Sequence, residues 1–199
     1  MPSESASTSG TLPARPRYIA HGARQIFAWH HPARTDVRRG AGIVLCAPLG
    51  SDYICAYRVW RILAERLAGL GFDVFRFDYE GTGDSFGDPD EPGRLEAWQC
   101  DIERVASEAR QAAGSERIAL VGLRIGATLA LQAAAARGGV ERLVLWSPFR
   151  SGRAYVRELK AFAQLSQKDY EMAEGGPDIL AAGYVLPGAI ARGLEGLDL

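Results

Sequence analysis

Short apolar runs alternate with longer segments of helical periodicity along most of this chain. Runs rich in β-branched and aromatic residues predict buried strands, and they lie at 42–47, 72–77, 117–121 and 141–146. Between them, apolar residues recur every three to four positions from Val59 to Leu70 and from Leu95 to Ala112, which predicts amphipathic helices. Strands that alternate with helices favour an α/β fold, with a mainly parallel sheet covered by helices on both faces.

The two ends of the chain differ from this alternating middle. Residues 1–16 are rich in Ser, Thr, Pro and Ala, which predicts a disordered tail. Residues 17–31 alternate apolar and polar side chains around a turn and predict an antiparallel hairpin at a sheet edge. From residue 150 onward the pattern is helical and predicts no further strand. We therefore expect a tail at 1–16, a core at 17–149 and a helical cap segment at 150–199.

The most informative stretch is a strand followed by Gly122, Leu123, Arg124, Ile125 and Gly126, and then by an Ala/Leu-rich helix. This is the frame of a nucleophile elbow, in which a strained turn holds the central side chain above the helix N-terminus. The central residue here is Arg124. Because a guanidinium stays protonated, it cannot attack a carbonyl carbon. The sequence therefore keeps the elbow frame without its nucleophile.

Two further segments accompany the elbow. Residues 47–50 (Ala-Pro-Leu-Gly) follow the first predicted parallel strand. A loop dense in turn-forming residues follows the second one, and it contains Asp78, Gly81, Gly83, Asp84 and Ser85. With these segments, residues 17–149 resemble the α/β-hydrolase family, in particular its serine-aminopeptidase-like branch. Residues 47–50 are similar to the family's oxyanion segment, and 78–85 to its Asp-x-x-Gly-x-Gly-x-Ser loop. The stretch around Arg124 also resembles an Arg-bearing elbow in hydrolase-like proteins associated with exosortase systems.

The resemblance implies an α/β-hydrolase fold and an ancestry in the hydrolysis of ester, thioester or peptide bonds. It also implies an oxyanion hole formed by the backbone N–H of Ile125 and one near Leu49 or Gly50. The segment after residue 150 resembles the start of the family's mobile cap. In this family the catalytic acid and histidine follow the cap, whereas this sequence stops at Leu199 without a predicted strand to carry either.

No other group is predicted to complete a catalytic triad. The histidines all fall in the N-terminal hairpin, away from the elbow, at positions His21, His30 and His31. Adjacent strand residues point to opposite faces, so we expect His30 and His31 at the surface rather than on a metal ion. Ser85, Ser147 and Cys55 have no predicted base beside them. We interpret the two serines as turn or cap hydroxyls.

Arg124 requires a counter-ion, because a cation at a helix N-terminus opposes the helix dipole by about 0.3–1 kcal/mol when exposed. We favour an internal carboxylate as its partner, with Asp78, Glu80 and Asp84 as the candidates. The alternative is the carboxylate or phosphate of a ligand, which helix N-termini attract. Ser51 and Asp52 are interpreted differently, as possible caps of the helix that follows residues 47–50.

Composition narrows the class of protein. The chain has 199 residues, 47% of them hydrophobic, and a formal net charge of −1, which fits a single globular domain and gives no support for nucleic-acid partners. No apolar run reaches the roughly 20 residues that a membrane span needs. The three cysteines lack metal-site spacing. We expect them to be buried free thiols of a cytoplasmic protein, and we expect neither a metal nor a cofactor.

Three functional hypotheses follow. The first is a hydrolase-family protein that is catalytically impaired, either as an incomplete chain or as a pseudoenzyme. The second is a binding or scaffold protein that holds a small anionic acyl or carboxylate ligand at the elbow pocket. The third is a hydrolase with unorthodox chemistry around Arg124, Ser51 and Asp84. A truncated chain would leave residues 142–146 as an unpaired edge, so it would be expected to self-associate.

Overall fold

The computed structural model describes residues 12–166, 178–181 and 183–197. A six-stranded sheet with the order β1-β2-β4-β3-β5-β6 lies at its centre. The strands are β1 (Arg15–His21), β2 (Arg24–His31), β3 (Gly42–Cys46), β4 (Asp73–Phe77), β5 (Ile118–Leu123) and β6 (Arg142–Trp146). The β1–β2 and β2–β4 pairs are antiparallel, and the other three pairs are parallel. The predicted α/β sheet with an N-terminal hairpin is confirmed.

Helices cover both faces of this sheet. Since successive side chains of each buried strand point to opposite sides, each strand packs against both helix layers. On one face, Leu45 and Val74 pack with Trp60 of α1 (Gly50–Gly69). On the other, Val44 packs in the cluster that contains residues of α2 (Arg94–Ala113) and α3 (Ile125–Arg137). A single turn of 3₁₀ helix spans Thr35–Val37.

The predicted helical stripes differ in how well they match the packing. On α2 the predicted stripe packs inward as expected, with Trp98, Ile102 and Val105 buried. On α1 the prediction is wrong in part, since Val59 and Leu70 are exposed. The buried face consists of Trp60, Ala64 and Ala68. In the periodic pattern of the sequence, alanine is a weak indicator of a buried position. Its small side chain nevertheless lets α1 approach the sheet closely.

The chain after β6 forms the cap segment, which we define as α4 (Gly152–Ser166), β7 (Ile179–Ala181), β8 (Tyr184–Leu186) and α5 (Gly188–Glu195). The expectation of no further strand is wrong, because β7 and β8 pair as an antiparallel hairpin. Ile179 and Ala181 are buried while Leu180 is partly exposed, the alternation of a strand packed on one face. The strands have three residues each, too few for their periodicity to stand out beside the neighbouring helices.

The predicted N-terminal tail of residues 1–16 overlaps the first strand of the sheet. β1 begins at Arg15, inside the predicted tail, and residues 1–11 lie outside the described residues. Within the described ranges, no helix combines the length and the apolar character required to cross a bilayer.

Strand β6 lies at the open edge of the described sheet. It pairs with β5 on one side, and its burial alternates along its length. Val144 and Trp146 are 50% and 52% exposed, while Leu143 and Leu145 on the other face are partly covered. An apolar strand with a free row of backbone N–H and C=O groups is a template for pairing with another chain.

We predict that this chain self-associates through β6. Val144→Lys places a charge on the exposed face of the strand, away from the core, and should shift the chain to a monomer in sedimentation velocity. Val185→Lys is the matched control, since Val185 on β8 is equally exposed at 50% and lies outside the main sheet. A parent chain that stays monomeric at high concentration would contradict the prediction.

Candidate functional site

The turn between β5 and α3 has the geometry of a nucleophile elbow. Arg124 occupies its tip with φ 55° and ψ −121°, a backbone conformation that residues other than glycine rarely adopt. Its N–H donates to the carbonyl of Trp146 at 3.0 Å, and its own carbonyl accepts from the N–H of Ala127 at 3.0 Å. The neighbouring strand and helix thus hold the strained residue in place, which is the condition under which such backbone strain persists.

The two elbow glycines are required by close contact. A Cβ on Gly122 would lie 2.4 Å from Cα of Ala127, and a Cβ on Gly126 would lie 2.2 Å from the carbonyl oxygen of Cys46. Both distances are shorter than any van der Waals contact. The start of α3 therefore packs directly against the ends of β5 and β3.

The side chain of Arg124 is bound by two carboxylates and an aromatic ring. Its Nε donates to Oδ2 of Asp52 at 3.2 Å, and its Nη2 donates to Oε1 of Glu158. The guanidinium carbon lies 5.4 Å from the centre of the Tyr155 ring, within cation–π range. Burial by itself lowers the pKa of Arg124, but the bonds to Asp52 and Glu158 outweigh it and raise the pKa above its ordinary value.

The expectation of an internal carboxylate partner is confirmed, but the predicted acids are the wrong ones. Asp78, Glu80 and Asp84 follow β4, and in the sheet β3 separates β4 from β5. The acid within reach is Asp52, in the first turn of the helix that follows the adjacent strand β3. It caps no helix, since α1 has no side-chain cap bond at its start. Its position two residues after the segment 47–50 was the signal in the sequence that could have identified it.

The other two partners of Arg124 come from the cap segment. Glu158 and Tyr155 lie one turn apart on α4, and Tyr155 also stacks on Phe149 with ring centres 4.6 Å apart. No local pattern in the sequence connects α4 with the elbow. Arg124 is 21% exposed, whereas Asp52 and Glu158 are 38% and 61% exposed. The inner ion pair is therefore the better shielded of the two.

The loop after β4 is held by hydrogen bonds within the loop and to strand β2. Ser85 Oγ donates to the carbonyl of Asp78 at 2.6 Å and accepts from the N–H of Phe27 at 2.9 Å, which supports its interpretation as a turn hydroxyl. The Asp78 carboxylate accepts from the N–H of Asp84 at 3.1 Å. Gly81 and Gly83 both have positive φ, and a Cβ on Gly83 would lie 2.2 Å from Oδ2 of Asp78.

Glu80 anchors this loop to the core. Its buried carboxylate accepts from Nη1 of Arg94 at 2.7 Å and also pairs with Arg24. Its N–H donates to Oδ2 of the buried Asp101 at 2.8 Å, and its carbonyl accepts from Nε1 of Trp98 at 2.9 Å. Burial raises the pKa of Asp101 to about 6. Glu80 is thus committed to a structural network and does not face the elbow.

The predicted oxyanion residues lie beside the elbow. Ile125 is the first residue of α3 and is fully buried, and Leu49 and Gly50 start α1 at the end of β3. Gly126 packs against the carbonyls of Cys46 and Ala47, which brings the two N–H-bearing segments together. The oxyanion role of Leu49, Gly50 and Ile125 stays a prediction.

The histidines do not complete a triad in the described structure, and the expectation that they lie at the surface is wrong. His30 is buried with Nε2 at 2.9 Å from Oδ1 of Asp73, and buried His31 accepts from Nε of Arg76 at 3.1 Å. Strand β2 pairs with β1 and β4 along its two edges, and the ring of His30 stacks on Phe75 of β4 with ring centres 4.5 Å apart. Burial, reinforced by Arg76, lowers the pKa of His31 to about 4. The side chain of His21 lies outside the described residues.

The cysteines are free thiols, but their predicted burial holds only for Cys46 among them. Cys55 is exposed on α1, and Cys100 is partly buried. Burial raises the pKa of the Cys46 thiol far above its ordinary value, so this thiol is inert as a nucleophile. In the part of the chain that the structure describes, no three His, Cys, Asp or Glu side chains cluster as a metal site.

The sequence profile of the serine aminopeptidase S33 family matches residues 41–174, which is more than half of the chain. The chain belongs to this family. The matched region runs from β3 into the cap segment and includes the elbow and the loop after β4. Comparison with curated proteins gives no match.

Solved structures similar to this family member are α/β hydrolases. A serine hydrolase without a lid from Xanthomonas campestris is 24% identical over 64% of this chain and 59% of its own, with a TM-score of 0.52. An esterase from Pyrococcus furiosus is 17% identical over 80% and 57%, with a TM-score of 0.60. A proline iminopeptidase-related protein from Thermus thermophilus is 22% identical over 77% and 51%, with a TM-score of 0.57. At these identities the likeness shows the fold alone, and the chain spans little more than half the length of these proteins.

We predict that Arg124→Ala lowers the free energy of unfolding by about 1–2 kcal/mol, since it removes a partly buried double ion pair. Arg124→Gly should cost less than Arg124→Ala, because glycine adopts positive φ without strain. Chemical denaturation measures both changes. Arg58→Ala, which removes an exposed arginine of α1, is the control and should be nearly neutral. Equal effects of Arg124→Ala and Arg58→Ala would contradict a structural role for the pair.

Proposed function

We propose that this member of the serine aminopeptidase family does not hydrolyse substrates through its elbow, and that Arg124 instead holds the cap segment on the core. The observation that carries the proposal is the double ion pair of Arg124. One carboxylate, Asp52, belongs to the core helix α1, and the other, Glu158, belongs to cap helix α4. The side chain at the nucleophile position thereby connects two parts of the fold.

The chemistry of the described residues supports this proposal. Acyl transfer needs a nucleophile that an adjacent base can deprotonate, and a guanidinium offers neither a lone pair nor a removable proton. His30 and His31 are engaged with Asp73 and Arg76. Within the part of the chain that the structure describes, Ser85 bonds to Phe27 and Asp78 and not to a histidine, and Cys55 is an exposed thiol of α1. The free thiols are also consistent with a cytoplasmic location, which we include in the proposal.

A second candidate function is the binding of a small anionic acyl or carboxylate ligand at the elbow. The observation in its favour is the exposure of Glu158, at 61%, which makes the outer carboxylate on Arg124 exchangeable with a ligand. The observation against it is Asp52, whose negative charge remains beside the guanidinium after such an exchange. We therefore rank this function second. The third hypothesis, chemistry around Arg124, Ser51 and Asp84, lacks a contact between Arg124 and Asp84.

We predict that a fluorophosphonate probe labels no residue of the purified chain. Arg124→Ser should not restore labelling, because triad members act as a unit and the base is still missing. An oxyanion hole alone can accelerate hydrolysis about 10³–10⁴-fold over water, so covalent labelling is more decisive than slow turnover. An active α/β-hydrolase esterase serves as the positive control. Labelling that disappears when a single serine of this chain is changed would contradict the proposal.

The anion-binding alternative makes its own prediction. If a ligand replaces Glu158 on Arg124, then Glu158→Gln should bind acetate or inorganic phosphate more tightly than the parent chain, and Arg124→Ala should not bind it. Isothermal titration at low ionic strength measures all three affinities, because salt screens exposed charges. Absence of binding to both the parent chain and Glu158→Gln would eliminate the alternative and leave the structural role.

A further inference from the structure

A second site lies beside the elbow and has chemistry of its own. A cleft of about 120 Å³ opens between the oxyanion segment, the first turns of α1 and the loop after β4, with Tyr184 of the cap segment as a further wall. This volume is smaller than the roughly 300–1,000 Å³ of sites for drug-sized molecules, so the cleft suits only a small ligand. The residues that line it do not include Arg124. The cleft is therefore distinct from the ion pair at the elbow.

The walls of this cleft are apolar and aromatic. Ile54 and the aromatic residues Tyr53 and Tyr184 contribute side chains, and residues 47–50 contribute a small apolar floor. Burial raises the pKa of Tyr53 and of Tyr184, so both phenols are neutral at physiological pH. Among the described lining residues, Asp78 is the one acidic side chain, and none of them is basic.

Asp78 is a partly buried carboxylate that lacks a cationic partner among the described residues. Its Oδ1 accepts from the hydroxyl of Tyr53 at 2.9 Å, and its Oδ2 accepts from the N–H of Asp84 at 3.1 Å. Both donors are neutral, and an ionised carboxylate has about four acceptor positions. By contrast, the buried acids Asp73 and Asp101 each have an arginine within 4 Å. Removing a carboxylate from water is costly unless a cation accompanies it.

The charges around Asp78 leave the cleft negative. Arg76 acts on Asp78 at a distance, but it is buried, donates to His31 and lies over the ring of Tyr57. Asp84 adds a second negative charge nearby. The net effect of burial and these neighbours is to raise the pKa of Asp78. A cation that entered the cleft would reverse this by stabilising the ionised carboxylate.

We propose that this cleft binds a small organic ammonium ion, an amine carried on an aromatic or aliphatic group, with Asp78 as its counter-ion. The ammonium group donates to the remaining lone pairs of the Asp78 carboxylate, and the apolar group packs against Ile54 and the rings of Tyr53 and Tyr184. Ammonium groups are attracted both to carboxylates and to the faces of aromatic rings. The proposal concerns binding and does not depend on whether the elbow is catalytically active.

Isothermal titration of the chain with three matched probes tests the charge preference. Benzylammonium should bind, benzyl alcohol should bind at least about tenfold more weakly, a difference of about 1.4 kcal/mol, and benzoate should not bind. If benzyl alcohol or benzoate binds as well as benzylammonium, or if benzylammonium does not bind, the proposal is wrong.

Variants locate the site. Asp78→Asn should weaken benzylammonium binding by about tenfold or more, and Asp90→Asn, the same change at an exposed acid of the same loop, should leave it within about threefold. Because Asp78 also orders its loop, a second pair of variants avoids the fold. Ile54 is 67% exposed at the cleft wall, so Ile54→Lys should place a competing cation there and weaken binding by about tenfold or more. Ile54→Gln should have a much smaller effect. Equal affinities for Ile54→Lys and Ile54→Gln would overturn the assignment.

Discussion

The direct packing of α3 against the ends of β3 and β5 is the constraint on which the rest of the site depends. It requires glycine at positions 122 and 126, where a Cβ would lie 2.4 Å and 2.2 Å from main-chain atoms of its neighbours. This contact fixes residue 124 at the tip of a strained turn, whatever its side chain. The backbone of a hydrolase elbow is therefore retained here, and the chemistry at its tip depends on the residue type alone.

The sequence was most informative where function follows from local backbone geometry. The spacing of Gly122 and Gly126 around Arg124 predicted the elbow, and the glycines of the loop after β4 predicted a tight turn. What local periodicity does not contain is the order of strands in the sheet. Because β3 lies between β4 and β5, the partner of Arg124 is Asp52 rather than an acid after β4. The burial of His30 and His31 has the same origin, since it depends on β4 pairing beside β2.

Long-range packing also explains why the cap segment was the least predictable part. The β7–β8 hairpin is too short to show a strand period, and its position is set by burial against the core. Tyr184 of this hairpin packs on Gly50, where a Cβ would lie 2.8 Å from its ring. Glu158 and Tyr155 of α4 contact the side chain of Arg124 at the elbow. The cap segment thus contacts the core at the elbow and at the oxyanion segment, and its helix α5 also packs against Leu95 of α2.

The elbow and the cleft, both at the carboxyl edge of the sheet, differ in electrostatic character. At the elbow, one guanidinium faces Asp52 and Glu158, so the positive charge is compensated twice within the protein. At the cleft, the carboxylate of Asp78 has neutral donors and no cation of its own among the described residues. Internal ion pairs satisfy a charge and remove it from ligand recognition, whereas a partly buried charge without a counter-ion gains most from a ligand that supplies one. By this criterion the elbow is the region less suited to bind a charged ligand, although the sequence identifies it most readily. The cleft beside it, which the sequence does not single out, is the region better suited to bind a charged ligand.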